Sequence, residues 1–357
     1  MRDDTAVETA LLSGAADGPA PVRMDGIRMP EVRLPFPAHE PSPHLARAQT
    51  ALDAWLDESA ICRSAQSRRS LERTRVPLIT ALAYPDAAPQ ALELLAQWAT
   101  WTFVIDDEFD DGPDGQDPVR CAAALATFLT VLDGAPAGDF ASARAFAGTW
   151  GRLVEGRSAA WRRMLGDDIR AYLWSYHQGL VDQLSGRVPT LAAYRRQRCV
   201  SAAAYTWLDV VEIAVGVDLP ETVRHFSSFR DLREAAAEYV GLHNDLWSLE
   251  KDQQAGAFQN AVLLVQHHHG SSLQEAVDQV SDLITDCARR MLDAGRDLAA
   301  QLDAARITGQ ARTDTLDCAS GYAKFVRGCF DYPSQAGRYT TAAASHSGTA
   351  TAPHQLF

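Results

Sequence analysis

Asp106, Asp107, Glu108, Asp110 and Asp111 crowd one short stretch, directly after a run rich in apolar residues from Ala91 to Ile105. Leu92, Leu95, Trp98, Ala99 and Thr102 keep the spacing of one helical face, which predicts a helix running into the acidic cluster. If that helix continues, Asp106 and Asp110 fall one turn apart on one face, with Asp107 beside Asp106. Carboxylates this close repel until something positive neutralises them. A hard divalent cation such as Mg2+ does so well, because it prefers oxygen ligands and keeps waters or substrate phosphates. The plain alternative is an acidic, solvated helix end. It fits poorly, because the macrodipole disfavours carboxylates at a helix C-terminus. On the cluster alone both readings stay open.

Asn244, Ser248 and Asp252 form a second pattern, at i, i+4 and i+8. On a helix this places an amide oxygen, a hydroxyl and a carboxylate in one row. Such a row suits one Mg2+ completed by water or phosphate. Glu250 points elsewhere, and Lys251 stands beside the row, where it can meet an anion. An ordinary polar helix face is the competing reading, and this stretch alone does not decide between them.

Together the two stretches resemble the metal-binding motifs of bacterial class I terpene synthases. In that family a DDxxD motif ends one helix and an N-D-x-x-S-x-x-x-E motif lies on a facing one. Tyr194-Arg195-Arg196-Gln197-Arg198-Cys199-Val200-Ser201 is similar to the family's diphosphate-sensor segment, with Arg198 as the sensor, 46 residues before Asn244. Arg327 to Tyr332 and Gly337-Arg338-Tyr339 resemble its terminal segment, and Leu34-Pro35-Phe36-Pro37 its N-terminal strap. One departure stands out: Asp252 occupies the position where the family usually has Glu, and its reach is one methylene shorter.

The resemblance implies three Mg2+ ions, with Asp106 binding two and Asn244, Ser248 and Asp252 the third. It implies that Arg198, Lys251, Arg338 and Tyr339 donate to the diphosphate, with Arg198, Arg338 and Tyr339 joining Asp106 in catalysis. Asp107 and Asp110 are expected to orient these donors rather than bind metal. Phe103, Trp207, Tyr332 and Ala202 are expected to line the substrate cavity, where aromatic faces stabilise a passing carbocation by roughly 0.5–2 kcal/mol each. Core packing competes with this role for any single aromatic.

The elements that must position these residues are helical. A helical pattern starts at His44, with Leu45, Ala48, Leu52 and Leu56 on one face, and Pro77, Pro85 and Pro89 punctuate the next stretch. Gly112-Pro113-Asp114-Gly115 should end the acidic helix as a loop. No proline interrupts Ala143 to Leu184 or Glu221 to Tyr332, and Ser272-Leu273-Gln274-Glu275 reads as a capping box. No alternating strand pattern is found. His267-His268-His269 before Gly270 reads as a polar helix end. The expectation is an all-α fold: one large helical bundle of the class I terpene synthase type around a central apolar cavity. Residues 31–340 would form it, with residues 1–30 and 341–357 disordered.

With 357 residues the chain can bury a large core. Its net charge of −13 argues against a nucleic-acid or anionic-membrane surface. Six scattered cysteines without a CxxC pair fit a reducing compartment, and no signal peptide or membrane-spanning run is visible, so a cytoplasmic location is expected. The expected partner is an isoprenoid diphosphate, without nucleic acid or membrane insertion, and a homodimer stays open. The expected activity is ionisation and cyclisation of that diphosphate to a cyclic terpene hydrocarbon or alcohol. A chain-elongating prenyltransferase and a non-catalytic helical binding protein are the alternatives. The resemblance implies that Thr102 stands where many C15 cyclases have a second aromatic, and Ser201-Ala202-Ala203-Ala204 where a bulky aromatic can close the cavity floor. C15 farnesyl and C20 geranylgeranyl diphosphate are therefore held near even, with a slight lean to C20.

Overall fold

A computed structural model describes residues 23–336, apart from 25, 26, 30, 31, 33, 63 and 255–257. Arg338, Tyr339 and the tail beyond them lie outside the described residues, as do residues 1–22. Helices carry the architecture. The acidic stretch closes a long helix, and the Asn/Ser/Asp row lies near the end of another. Residues 34–42 form an irregular segment without helix or strand: Leu34 and Phe36 are buried, and the Ser42 amide donates to the Ala81 carbonyl at 2.9 Å. Helices α1 (Leu45–Ser59), α2 (Ala65–Thr74) and α3 (Val76–Ala83) come first. Then come α4 (Pro89–Asp111), α5 (Pro118–Leu132), α6 (Ala141–Val154) and α7 (Ala159–Leu184). Next are α8 (Leu191–Ser201), α9 (Ala204–Asp209), α10 (Val211–Ala214) and α11 (Glu221–Arg224). The last four are α12 (Ser227–Gln254), α13 (Ala261–His269), α14 (Leu273–Ala304) and α15 (Gly309–Asp331).

Local chemistry starts and stops these helices. Ser64, Asp117, Ser158, Thr190, Asn260 and Ser272 accept first-turn amides, and Ser272 with Glu275 forms the expected capping box. Pro77, Pro89 and Pro118 stand in first turns, where a missing N–H costs nothing. Gly270, in the left-handed region, ends α13 directly after the three histidines, as expected. The proline-free stretch from Ala143 to Leu184 is two helices, parted at 155–158. The face expected for α4 is the buried one: Leu92, Leu95, Trp98, Ala99 and Thr102 are all below 5 % exposed.

One expectation fails. Arg23–Met24 (β1) pairs antiparallel with Ile27–Arg28 (β2), inside the segment expected to be disordered and without strands. The pairing is two residues long, too short to show alternation. It is fixed by a distant partner: the Gln274 amide donates to the Arg28 carbonyl and accepts from its N–H, both at 2.9 Å.

Buried ion pairs pin the short helices α9 and α10. Arg233 on α12 bonds Asp209 and Asp168, both at 2.6 Å. Arg224 bonds Glu212, which Arg157 approaches at 3.4 Å. All six cysteines are buried thiols.

Candidate active site

On the C-terminal halves of α4 and α12, both rows the sequence singled out are at least partly exposed, beside buried neighbours. Phe103, Asp106 and Asp107 are half-buried on α4 and Asp110 is exposed, while Val104, Ile105, Glu108 and Phe109 are buried. On α12, Asn244, Ser248 and Asp252 are half-buried, while Asp245, Leu246 and Leu249 are buried. The rows meet at their ends, where Lys251 Nζ lies 3.0 Å from Asp110 Oδ2. Asp110 and Lys251 are thus paired across the two helices.

Arg198 is held against the α12 row. Its Nη2 donates to Asn244 Oδ1 at 2.7 Å and its Nε to Asp245 Oδ1 at 2.8 Å. Gly241 makes this approach possible, because a Cβ there would stand 2.8 Å from Arg198 Cγ. Burial pulls the guanidinium down, but Asp245, then Tyr194, Asp252 and Asp106, more than offset it, so Arg198 stays charged. The influence of Asp252 and Asp106 puts this cation in the field of both rows.

Asp245 is fully buried and was not singled out in the sequence. It also accepts from the Tyr194 hydroxyl at 2.8 Å and the Ala261 amide at 2.9 Å. Burial pushes its carboxyl up to about 6 even against Arg198 and these donors. Asn260, the cap of α13, donates through Nδ2 to the Asp245 carbonyl at 2.8 Å and to Asp252 Oδ2 at 2.9 Å. Ser248 Oγ donates to the same Asp252 oxygen at 2.6 Å. Ser248 and Asn260 thus meet on one oxygen of Asp252. Tyr194, one turn before Arg198, and Asn260, with its capping position, had readable local signals; their target did not.

On the α4 side, Tyr176 of α7 donates to Asp106 Oδ1 at 3.2 Å. Glu108 turns away into the core, where burial and then Asp114 push it up to about 8. Above Asp106, Phe103 meets Trp207 edge-on, with ring centroids 6.0 Å apart. Trp207 also lies against Tyr84 and Phe325, at 6.4 and 6.3 Å. Its indole N–H donates to Thr102 Oγ1 at 3.3 Å, and the Tyr84 hydroxyl donates to its carbonyl at 2.8 Å. The structure thus brings Phe103 and Trp207 together and adds Tyr84 and Phe325.

Ala202 is half-buried where α8 ends, and Ala203 comes next with φ 54°, a left-handed conformation that costs a non-glycine residue about 1–2 kcal/mol. Tyr332 is buried with its hydroxyl on the Thr74 carbonyl. Arg75 Nη1 donates to the Gln335 carbonyl at 2.8 Å. The segment leading to Arg338 and Tyr339 is thereby fastened at the α2–α3 junction.

Among the described residues no three His, Cys, Asp or Glu side chains converge on one point. The oxygen donors are mixed instead: an aspartate on α4, and an amide, a hydroxyl and an aspartate on α12. Hard oxygens with few carboxylates fit Mg2+, which completes its shell with water and phosphate.

A family model described as terpene synthase family 2, C-terminal metal binding, matches residues 97–290, more than half of the chain. The chain belongs to this family. The match spans both rows and Arg198, in the region named for metal binding, so the protein is a terpene cyclase that uses a divalent metal. It is similar to the R-linalool synthase of Streptomyces clavuligerus, 32% identical over 313 residues, covering 87% of this chain and 93% of that protein. It is also similar to the (+)-T-muurolol synthase ((2E,6E)-farnesyl diphosphate cyclizing) of Roseiflexus castenholzii, 33% identical over 244 residues, covering 68% and 74%. Among solved structures, hedycaryol synthase in complex with HEPES superposes with a TM-score of 0.78 at 30% identity, covering 87% of this chain and 99% of that one. The expected family and the all-α class I fold both hold. No helix among the described residues is long and apolar enough to cross a membrane.

Proposed function

We propose that this cyclase ionises and cyclises a linear isoprenoid diphosphate with Mg2+, three ions per site, and releases diphosphate. The observation that carries the reading is the meeting of the two rows: Lys251 on Asp110, and Arg198 on Asn244 within the field of Asp106 and Asp252. Asp106 would hold two ions, and Asn244, Ser248 and Asp252 the third. Mg2+, when bound, supplies Lewis-acid neutralisation of the departing diphosphate.

The chain's own residues do the rest. Arg198 and Lys251, with Arg338 and Tyr339, bind diphosphate oxygens; the guanidinium fork suits paired oxygens. Asp107 and Asp110 orient the cations. Phe103 and Trp207 present aromatic faces to the hydrocarbon chain, and the apolar core around them excludes water from the cation. Residues 31–340 form this single catalytic unit.

The substrate we favour is the C15 farnesyl diphosphate. The lean to a C20 chain rests on room left by Thr102 and the alanines after Ser201. Trp207, only 7% exposed and bonded to Thr102, fills the space beside Thr102. The T-muurolol synthase, by its name a farnesyl diphosphate cyclase, points the same way. The test is incubation with C10, C15, C20 and C25 diphosphates, with Mg2+ or with chelator, and identification of products by gas chromatography–mass spectrometry. Cyclic C15 products that require Mg2+ are expected. No product from any chain length, or elongation when isopentenyl diphosphate is added, would refute the reading.

A further inference from the structure

Two tyrosines of α7 lie behind Asp106, and neither belongs to the motifs. Tyr172 and Tyr176 stand one turn apart with their hydroxyl oxygens 2.6 Å from each other. Tyr172 is 2% exposed. The Tyr176 ring is stacked on Phe109, centroids 4.9 Å apart, and meets Tyr172 edge-on at 5.3 Å. Its hydroxyl is 3.2 Å from Asp106 Oδ1, and the Tyr172 hydroxyl is 3.3 Å from the Thr102 carbonyl.

Each phenol has one proton, so the chain of hydroxyls can run one of two ways. It runs toward the Thr102 carbonyl, or Tyr172 donates to Tyr176 and Tyr176 to Asp106. A carboxylate is the stronger acceptor by roughly twofold, and the Thr102 carbonyl already sits within a helix. The second direction therefore wins. A donor that itself accepts a hydrogen bond is strengthened, by perhaps 10–30% per bond.

We propose that Tyr176, polarised by Tyr172, is a positioning residue that fixes the Asp106 carboxylate for metal binding. The proposal rests on the reading of Asp106 as a metal ligand. Tyr176 holds Oδ1 through its hydroxyl, and this bond favours one orientation of the carboxylate. The Tyr172 hydroxyl lies on Tyr176 and the Thr102 carbonyl, so its part in the proposal runs through Tyr176. Phe109, inside the acidic motif, seats the Tyr176 ring.

The test uses Mn2+ and inorganic diphosphate with the full chain and no isoprenoid, so that turnover plays no part. Free Mn2+ is read by electron paramagnetic resonance for wild type, Tyr176→Phe, Tyr172→Phe and the double variant. Loss of a group that orients a metal ligand weakens metal binding about 10- to 100-fold. That loss is expected for Tyr176→Phe, with a smaller one for Tyr172→Phe. The double variant should match Tyr176→Phe alone, because Tyr172 works through Tyr176. The thermal midpoint in chelator should differ little between wild type and Tyr176→Phe. Wild-type Mn2+ affinity in Tyr176→Phe would overturn the relay, as would additive losses in the double variant. Weakened binding explained by a collapsed midpoint in chelator would overturn it too. A wild type that takes up no Mn2+ with diphosphate would instead overturn the metal reading of Asp106 beneath it.

Discussion

Replacing Trp207 by leucine should change which substrate the cyclase prefers, and its surroundings set the size of the effect. Trp207 touches three aromatic rings, Phe103, Tyr84 and Phe325, at centroid distances of 6.0, 6.4 and 6.3 Å. Full truncation of a buried Trp costs about 3–5 kcal/mol, and leucine refills part of that space. The loss stays below the roughly 5–15 kcal/mol that holds a domain together, so the variant should fold. Thr102 Oγ1 is not orphaned, because it still donates to the Ala99 carbonyl at 2.8 Å. One aromatic face next to the cation is worth roughly 0.5–2 kcal/mol. At about 1.4 kcal/mol per decade, kcat/KM for farnesyl diphosphate should fall about 2- to 30-fold. Meanwhile the vacated space admits a longer chain. The assay is a competition between C15 and C20 diphosphates at equal concentration, read as relative kcat/KM. The ratio should move toward C20. An unchanged ratio in a folded variant would show that Trp207 is core packing only.

Asp106→Ala should abolish or nearly abolish turnover while helical circular dichroism stays intact; near wild-type turnover would remove Asp106 from the metal site. Asp252→Glu should keep turnover and lower the Mg2+ needed for half-maximal rate, because the longer side chain restores the family's reach. Loss of activity in Asp252→Glu but not in Asp252→Ala would dissolve the row. Glu108, 1% exposed and raised to about 8 from 4.5, binds its proton more tightly folded than unfolded. Its contribution is therefore full below about pH 4.5 and is lost as pH rises toward 8, a change on the order of several kcal/mol. Glu108→Gln should flatten that slope and raise the urea midpoint at pH 8 in chelator; parallel profiles for the two proteins would contradict it.

Both rows were legible because helical periodicity is local. Asp106 with Asp110, and Asn244 with Ser248 and Asp252, need only the 3.6-residue turn to face one way. Lys251 follows from the same turn, and the fold pairs it with Asp110. Arg198 came from resemblance, and the fold sets it on Asn244. What escaped the sequence is long-range. Nothing near Tyr176 marks Asp106, 70 residues earlier, as its partner. Asp245 stood in plain view beside Asn244, yet only the fold turns it inward to meet Arg198, Tyr194 and Ala261. Ala203 shows the other limit: an alanine in the left-handed region, between α8 and α9, has no propensity signature.

The buried thiols give the molecule a set of internal probes. Burial pushes Cys121 up to about 11, and Cys62, Cys199 and Cys329 to about 12, so almost no thiolate exists at neutral pH. Alkylating reagents attack the thiolate. In the native protein they should therefore find nothing to react with, and each cysteine becomes modifiable only when its own region opens. The thiols are spread through the fold: Cys62 before α2, Cys121 on α5, Cys199 beside Arg198, Cys287 on α14, and Cys318 and Cys329 on α15. Timed maleimide labelling read peptide by peptide would report the order in which these regions come apart, without introducing a single foreign residue.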